Sequence, residues 1–439
     1  MNITDVDDKI IRKSIEANVD FTEISRKYEQ EFFDDMKKLN VALPTVISRV
    51  SEYMPEIVAF IEKIIANGFA YESNGSVYFD VETFSANPSH SYNKLEPGAS
   101  NDSELAMDGE GVLTDKNAQA SEKRSPKDFA LWKKAKEGEP HWPSPWSEGR
   151  PGWHIECSAM AGTLLPNPPM DIHTGGVDLK FPHHDNEIAQ SEAYYNIDNW
   201  VNNFWHTGHL HIDGLKMSKS LKNFIKIKSI LGTYNARQIR YVFLLHNWNT
   251  LMNYSETTWP EALAKDATFS EFFRTVKAHT RNVQIRNESQ KWNERDFALK
   301  AELSRAQKAV RAALCDSFDT PTAIDELAKL VSATNVYIAQ GQAVKAPLVL
   351  QISRWVFKIL SCFGVYEAGE TPAVETADGA AGANVEDAIT PVMNALANFR
   401  DEVKIKAKDG PKAMFDACDK VRDDVLPYLG IKIEDKKQD

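Results

Sequence analysis

The chain has 439 residues, of which 42% are hydrophobic and 26% are charged, a composition typical of a globular protein with about two to four domains. Its formal net charge of −12 argues against a protein that is coated in nucleic acid. The sequence has no uninterrupted apolar run of about 18 residues, so we expect no transmembrane helix.

The first residues and the cysteines indicate the compartment. The string "MNITDVDDKI" has neither the apolar core of a signal peptide nor the acid-poor, arginine-rich character of a transit peptide. The four cysteines are widely spaced and form no CxxC pair, which favours a reducing compartment over a disulfide scaffold. They are Cys157, Cys315, Cys362 and Cys418. We therefore expect a cytoplasmic protein.

The N-terminal part of the chain shows helical periodicity followed by a hairpin pattern. The first 40 residues are predicted to be mostly amphipathic helix, because apolar side chains recur there at helical spacing. A second helix is predicted to begin near Pro55 and to end at Gly68. The string "AYESNGSVYFDV" then predicts a β-hairpin whose turn is Asn74-Gly75.

The rest of the chain predicts an α/β core followed by helices. Residues 85–127 are polar and aperiodic, as in a flexible excursion within a domain. The short apolar runs "MDIHTGG" and "NFWHTGHLHI" predict buried strands. Helical patterns dominate after residue 228, and the low-complexity segment 367–387 predicts a linker before one more helical piece.

A basic stretch stands out in this acidic chain. Residues 215–255 contain no Asp or Glu. They contain Lys216, Lys219, Lys222, Lys226, Lys228, Arg237 and Arg240. An acid-free basic stretch of this kind predicts a local anion site.

The string "HIDGLKMSKSLKNF" is the most specific pattern in the chain. It predicts a strand end and an Asp213-Gly214 turn, followed by two lysines on a loop. Lysines on such a loop suit a polyphosphate whose charge changes during a reaction. Most lysine-rich pentapeptides are solvated loops, but "KMSKS" is the second signature of class I aminoacyl-tRNA synthetases, and this favours the phosphate site.

A second string imitates the first signature of that class, which is HIGH. The tetrad His206-Thr207-Gly208-His209 has the required H-x-G-H pattern. The HIGH element opens a helix, where its histidines meet ATP phosphates at the helix N-terminus. Here the tetrad follows a strand pattern and directly precedes KMSKS, so we interpret it as part of a strand.

Three residues in two strings form a candidate metal site. Cys157 lies in "GRPGWHIECSAM", and His183 and Glu187 lie four residues apart in "FPHHDNEIAQ", on one face of a predicted helix. A thiolate, an imidazole and a carboxylate are plausible ligands of zinc. The alternatives are a small buried hydrophobic residue at Cys157 and an exposed polar helix start at the other two positions. We expect His184 to pack beside the site or to support one of its ligands, rather than to be a second histidine ligand.

Four strings in this order resemble the cysteinyl-tRNA synthetases, a class I family. They are "NITDVDDKI", "WPSPWSEGRPGWHIECSAM", "DIHTGGVDLKFPHHDNEIAQSEA" and "KMSKSLKNF". The resemblance runs from residue 2 to the tryptophan at 259 and continues more weakly through the helical region. The short "LKNF" ending and the excursion at 85–127 are similar to the eukaryotic cytosolic form.

The resemblance implies an α/β fold with a Rossmann-like parallel sheet whose first unit is missing, an inserted domain and a C-terminal α-helical domain of the anticodon-binding type. Residues 1–48 would be the remainder of the first half of the catalytic domain, 49–150 a connective insertion, and 151–260 the second catalytic half with the zinc ligands and the KMSKS loop. Residues 261–366 would be a helical tRNA-binding domain, 367–387 a linker and 388–439 a C-terminal helical piece.

The resemblance also implies an activity and its site residues. The family uses ATP, with Mg²⁺, to activate cysteine as cysteinyl-adenylate and transfers it to tRNA(Cys). Its zinc binds the thiolate of the substrate, which rejects serine because a hydroxyl is a poorer zinc ligand. By position, Cys157, His183 and Glu187 match zinc ligands, Trp153 and His173 line the cysteine pocket, and Asp178 contacts the substrate amino group. The ATP-binding positions are Lys216, Met217, Ser218, Lys219 and Ser220, with Lys216 and Lys219 as the catalytic lysines.

Some of these positions have structural alternatives: Trp153 as a core aromatic residue and Asp178 as a turn or cap residue. In the family, the first strand, one cysteine ligand and HIGH precede the segment that resembles "NITDVDD". We therefore expect three of four zinc ligands here and an impaired activity. The end of the chain also looks short beside the anticodon-reading end of the family.

Three other functions remain open at the level of sequence. A paralogue that ligates cysteine to a small amine would not need the helical region. A non-catalytic tRNA-binding or regulatory remnant would fit a chain without HIGH. A zinc hydrolase is disfavoured, because the sequence has no H-E-x-x-H string and the KMSKS loop would be unexplained.

Overall fold

The computed structural model describes residues 1–99, 122–217, 223–255, 257–280, 291–340, 343–367 and 385–429, together with Ile431. The chain forms two compact units, residues 1–374 and residues 375–439. Much of the predicted excursion at 85–127 and of the predicted linker at 367–387 lies outside the described residues. The predicted domain boundaries stay predictions.

The first unit begins with a parallel β-α-α-β crossover. Strand β1 (Asn2–Ile3) pairs in parallel with β2 (Ser48–Arg49), and helices α1 (Asp8–Ala17) and α2 (Phe21–Lys38) connect them. Both helices have an aspartate N-cap whose carboxylate accepts a backbone N–H. The prediction that the first 40 residues are mostly helix is therefore confirmed.

Helix α3 (Met54–Ala66) leads into an antiparallel sheet. Its strands are β3 (Ala70–Ser73), β4 (Ser76–Phe79), β5 (Phe129–Lys134) and β6 (Gly149–Pro151), in that spatial order, and α4 (Val81–Ala86) follows β4. The predicted helix near Pro55 and the predicted hairpin are confirmed. Asn74 and Gly75 both have positive φ, 54° and 86°, as a two-residue turn between twisted strands requires. Apolar side chains of α3 and of this sheet form one core.

The next elements form a parallel pair flanked by helices. They are α5 (Trp153–Leu164), β7 (Met170–Gly176), α6 (Asp185–Tyr195) and β8 (Val201–Thr207). Strands β7 and β8 pair in parallel, with Gly175 opposite His206. Together with the β1–β2 pair and the C-terminal helices, this confirms the predicted class, an α/β fold with parallel strands and a helical region.

Two details of the strand prediction were wrong. Strand β7 is not buried, and its Ile172 is 43% exposed, because β7 and β8 pair only with each other among the described residues. The run "NFWHTGHLHI" is also not one strand. It breaks at Gly208, where the backbone carbonyl of Thr250 leaves no room for a side chain, and resumes as β9 (Leu210–Ile212).

A small three-stranded sheet links the α/β part to the helices. Strand β9 pairs with β10 (Leu215–Lys216) across a turn in which Asp213 and Gly214 have φ of 49° and 81°, and it pairs in parallel with β11 (Met252–Tyr254). Between β10 and β11 lie the helices α7 (Ile227–Ile230) and α8 (Ala236–Leu244).

Long helices complete the first unit. They are α9 (Thr258–Thr280), α10 (Glu294–Cys315), α11 (Thr320–Ala339) and α12 (Ala346–Cys362), and their apolar faces share one core with α8. The second unit contains α13 (Val385–Lys406), α14 (Pro411–Lys420) and α15 (Leu426–Tyr428). Within the described residues, no helix combines the length and the apolar character needed to cross a membrane.

Candidate active site and metal centre

The first turn of α5 is positioned by a close approach to the antiparallel sheet. Gly152 precedes α5, and a side chain at this position would collide with the backbone carbonyl of Ala130 in β5. The glycine therefore lets the chain leave β6 in contact with β5 and start α5 at Trp153. One turn later, the same helix carries Cys157, whose side chain is buried.

His183 and Glu187 come from the turn that leads into α6. The predicted regular helix through both residues forms only in part, because Phe181 is extended (φ −137°, ψ 137°) and the backbone is kinked before α6 begins at Asp185. The two side chains still meet as the spacing predicts. Nε2 of His183 lies 2.9 Å from Oε1 of Glu187, and both residues are buried.

The structure brings the three candidate zinc ligands together. The ligand atoms of Cys157, His183 and Glu187 all lie within 4.8 Å of one another, although Cys157 comes from α5 and the other two from the α6 region. A second group of the same kind, His173, His184 and Glu187, shares the carboxylate. The site therefore offers sulfur, nitrogen and oxygen donors around one buried acid.

The electrostatics of the site fit a cation. Burial, followed by the nearby Glu187 carboxylate, raises the pKa of the Cys157 thiol well above its usual range. Burial also opposes ionisation of Glu187, but His173 and His183 outweigh it and hold the pKa of this carboxyl low. Its Oε2 atom is buried and, although Nε2 of His173 lies 3.2 Å away, it accepts no well-aligned hydrogen bond among the described residues. A divalent metal would bind this oxygen and favour the thiolate of Cys157.

The residues predicted to line the cysteine pocket lie around this centre. The ring of Trp153 is 4.3 Å from that of His183, centroid to centroid, so it is more than a distant core residue. Nε2 of His173 is 3.3 Å and 3.2 Å from the two oxygens of Glu187. Burial lowers the basicity of His173, but Glu187 outweighs this and its pKa is raised.

Two contacts of the ligands were not anticipated from the sequence. Nδ1 of the buried His154 lies 3.0 Å from Nδ1 of His183, and the side-chain amide of Asn2 donates a hydrogen bond of 3.0 Å to Sγ of Cys157. Burial lowers the pKa of His154 well below its usual range. Both residues stand in strings that carry the resemblance, but only the fold shows that they contact the candidate ligands.

His184 and His206 form a further pair beside the site. Nδ1 of His184 is 2.8 Å from Nε2 of His206, and burial lowers the pKa of His184 to about 3 and also lowers that of His206. His184 therefore has a polar contact in addition to its packing contacts, and whether it supports a metal ligand stays a prediction. His206 makes this contact from near the end of strand β8. No helix begins at the His206–His209 tetrad, which agrees with our interpretation of it as part of a strand.

The remaining predicted site residues are exposed, half-buried or outside the described part. Asp178 is exposed in the turn Val177–Leu179, and its carboxylate folds back over Gly176. Lys216 is exposed at the end of β10, and its backbone carbonyl accepts a hydrogen bond of 3.2 Å from Asn223. Met217 follows it with a backbone hydrogen bond to Leu210. Ser218, Lys219 and Ser220 lie outside the described residues.

Comparisons with known proteins show what the chain is similar to. It is 50% identical to the cytoplasmic cysteine–tRNA ligase of Dictyostelium discoideum over 99% of its own length and 66% of the relative's. It is 47% identical to the cytoplasmic cysteine–tRNA ligase of Drosophila melanogaster, over 99% of its own length and 60% of the relative's. It is 45% identical to that of Homo sapiens, over 98% of its own length and 58% of the relative's. The chain thus spans about three fifths of the length of these relatives.

Solved structures share the fold at low sequence identity. A methionyl-tRNA synthetase of Mycobacterium tuberculosis in complex with methionyl-adenylate matches with a TM-score of 0.57 and 12% identity, over 81% of this chain and 80% of that one. A second structure of this enzyme, bound by methionyl-adenylate, gives a TM-score of 0.55 and 13% identity, over 79% of this chain and 78% of that one. The family described as tRNA synthetases class I (C) catalytic domain matches residues 1–264, which is more than half of the chain, and the chain therefore belongs to this family.

Proposed function

We propose that this protein is a cytoplasmic cysteine–tRNA ligase, which activates cysteine with ATP and transfers it to tRNA(Cys). The observation that carries the proposal is the buried cluster of Cys157, His183 and Glu187. A sulfur, a nitrogen and an oxygen donor at one point match the ligand preferences of zinc, and the relatives of 45–50% identity are named cysteine–tRNA ligases.

In this proposal, Cys157, His183 and Glu187 hold the zinc ion. When bound, zinc would supply a Lewis acid that can bond to the sulfur of the substrate cysteine and would favour its thiolate form. Serine differs from cysteine by a hydroxyl in place of the thiol, and a site built around this bond to sulfur rejects it without a separate editing step. His154 and His173 orient the ligands from outside the metal site, because their ring nitrogens lie within hydrogen-bonding distance of His183 and Glu187.

The other site residues orient the substrate and ATP. Trp153 and His173 form the wall of the cysteine pocket, and Asp178 receives the substrate ammonium group. The substrate carboxylate then attacks the α-phosphate of ATP, and pyrophosphate leaves. Lys216 and Lys219 stabilise the charge that moves onto the leaving phosphates, with Mg²⁺ bound to ATP. In the second step a hydroxyl of the terminal tRNA ribose takes the aminoacyl group and AMP leaves.

Neither step needs a nucleophile from the protein, so positioning and charge stabilisation account for the rate. The proposal assigns tRNA binding to the helical region from α9 to α12. These helices share a large hydrophobic core of their own, and an enzyme with a small acceptor would not need such a region. This observation disfavours a paralogue that ligates cysteine to a small amine.

The test combines metal analysis with amino-acid-dependent ATP–pyrophosphate exchange. We expect the purified protein to contain zinc, and we expect cysteine but not serine to support exchange. Cys157→Ser should lose most of the zinc, whereas Cys315→Ser should keep it, since Cys315 is an exposed cysteine at the end of α10. Equal zinc in both variants would contradict the ligand assignment, and exchange driven by another amino acid would contradict the function.

A further inference from the structure

The first unit contains an aromatic cavity on the side of strand β8 that faces away from the metal centre. Phe204 contacts His173, and His206 contacts His184. Trp205 lies between them in the strand and points to the opposite face, as alternation along a strand requires. The cavity has a volume of about 490 Å³, within the range of about 300–1,000 Å³ at which proteins bind small ligands. Trp205, Phe243, Trp248 and Phe318 supply its aromatic rings.

These rings come from separate elements and remain accessible. Trp205 belongs to β8, Phe243 to α8, and Phe318 to the turn between α10 and α11. The ring of Phe318 meets that of Trp205 edge-on at 4.9 Å, and Trp248 lies 6.3 Å from Trp205. Phe243 is 52% exposed and Phe318 is 44% exposed, so both rings are accessible to a ligand.

The backbone that presents Phe318 is strained. Ser317 and Phe318 both adopt a left-handed conformation, with φ of 52° and 54°, which is rare for a bulky residue and unfavourable at two successive positions. The indole N–H of Trp248 donates a hydrogen bond of 2.7 Å to the carbonyl of Ser317 and holds the turn in place. Strain that is stabilised in this way is typical of ligand-binding positions.

The wall of the cavity carries a positive charge without an acidic partner. Arg240 donates hydrogen bonds to the backbone carbonyls of Phe363, Leu39 and Asn40 at 2.8–3.3 Å. Among the described residues it forms no ion pair, and none of the described lining residues is acidic. Arg240, Phe243 and Trp248 all lie in the acid-free basic stretch 215–255. Aromatic rings inside a basic stretch are the combination by which proteins bind single-stranded nucleic acid.

We propose that the aromatic cavity binds one unstacked nucleotide of an RNA substrate. Its base stacks on Phe318 and Trp248, and its phosphate lies toward Arg240. This inference rests on the proposed function, which supplies an RNA as substrate. It adds an anchoring position that does not depend on the metal centre, because β8 separates the two sites. Proteins read RNA mainly through bases that are splayed out of the helix, and any base offers a π-face for stacking.

The experiment measures binding of a tRNA(Cys) transcript by filter binding. Phe318→Leu removes the ring but keeps an apolar side chain, and we expect it to weaken binding about tenfold, as for the loss of one stacked base. The matched control is Phe297→Leu. Phe297 is 61% exposed in the first turn of α10 and does not line the cavity, so its variant should bind like the wild type. Equal affinity of both variants would overturn the proposal.

Two further measurements keep the outcomes distinct. If Phe318→Leu lowers the melting temperature, Phe243→Leu replaces it, because Phe243 lies on α8 outside the strained turn. A transcript that contains 4-thiouridine should crosslink to the peptide with Phe318 or Trp248. Crosslinks only elsewhere, or a change in self-association with unchanged RNA affinity, would show that the cavity receives protein instead. ATP–pyrophosphate exchange needs no RNA, so exchange driven by an amino acid other than cysteine would contradict the proposed function and leave the RNA measurements to decide on the cavity.

Discussion

Glu187 occupies the centre of the candidate site at the scale of single residues. It contacts His183 on one side and His173 on the other, at 2.9 Å and 3.2 Å, and it is buried. A buried carboxylate is unfavourable unless it is paired or bound to a metal, and here two imidazoles hold it in the ionised form. The same acid belongs to both groups of candidate ligands, so its orientation determines where a metal would sit.

The residues of this site were only partly predictable. Cys157, His183 and Glu187 could be singled out as candidates because a thiol, an imidazole and a carboxylate are typical zinc-binding groups and because two of them are spaced by one helical turn. Asn2 and His154 could not, since their contacts with Cys157 and His183 join positions 155 and 29 residues apart. A hydrogen bond between distant positions depends on the fold and leaves no local pattern in the sequence.

The contact of Asn2 leads to the first prediction. Its amide N–H donates to Sγ of Cys157 and should stabilise a metal-bound thiolate, because hydrogen bonds from residues around a metal centre tune its ligands. In Asn2→Leu we expect zinc to be bound about tenfold more weakly, as is typical when such a partner is removed. Competition with a chromophoric chelator measures this affinity. In a Cys157→Ala background, Asn2→Leu should leave the residual zinc affinity unchanged. A further loss of affinity there would show that Asn2 acts through the fold of β1 instead.

At the scale of elements, local chemistry predicted the structure well. The hairpin of β3 and β4 formed as expected, because Asn74-Gly75 is compatible with only a few turns. The exposure of β7 and the break at Gly208 were not predictable, because both depend on what lies beside the strand. An apolar run reads the same whether or not its faces are covered.

The turn before α5 gives the second prediction. In Gly152→Ala, the added methyl group would collide with the carbonyl of Ala130, and either β5 or the first turn of α5 must move. We expect a loss of about 1–3 kcal/mol in the free energy of unfolding, as for other overpacked sites, together with weaker zinc binding. Denaturant unfolding and metal titration measure the two effects. Gly98→Ala is the control, since its Cβ would meet no atom within 4 Å. Equal stability of the two variants would contradict the role of Gly152.

At the scale of the whole molecule, the described residues of the first unit include two large hydrophobic cores. One lies between α3 and the antiparallel sheet and extends to α5 and α6, and the other lies among α8 to α12. The candidate metal ligands come from α5 and from the turn into α6, so they belong beside the first core. A metal at this point would connect Cys157 with His183 and Glu187, which lie about 26 and 30 positions further along the chain.

This arrangement leads to the third prediction, which concerns removal of the metal. A ligand that binds only the folded state stabilises it, and the effect is largest in the elements that it connects. After zinc is removed with a chelator, we expect faster amide hydrogen exchange in α5 and α6. Exchange in α10 and α11 should stay the same, because these helices pack in the other core and contain none of the candidate ligands.

The control is the Cys157→Ser variant, in which the chelator should have little further effect on α5 and α6, because that variant has already lost most of its zinc. Refilling the wild-type protein with zinc should restore slow exchange in both helices. If chelation instead accelerates exchange equally in α10 and α11, the two cores unfold as one cooperative unit and the metal stabilises the whole first unit. If it accelerates exchange nowhere, Cys157, His183 and Glu187 do not hold a metal that contributes to the fold, and their proximity reflects buried hydrogen bonding alone.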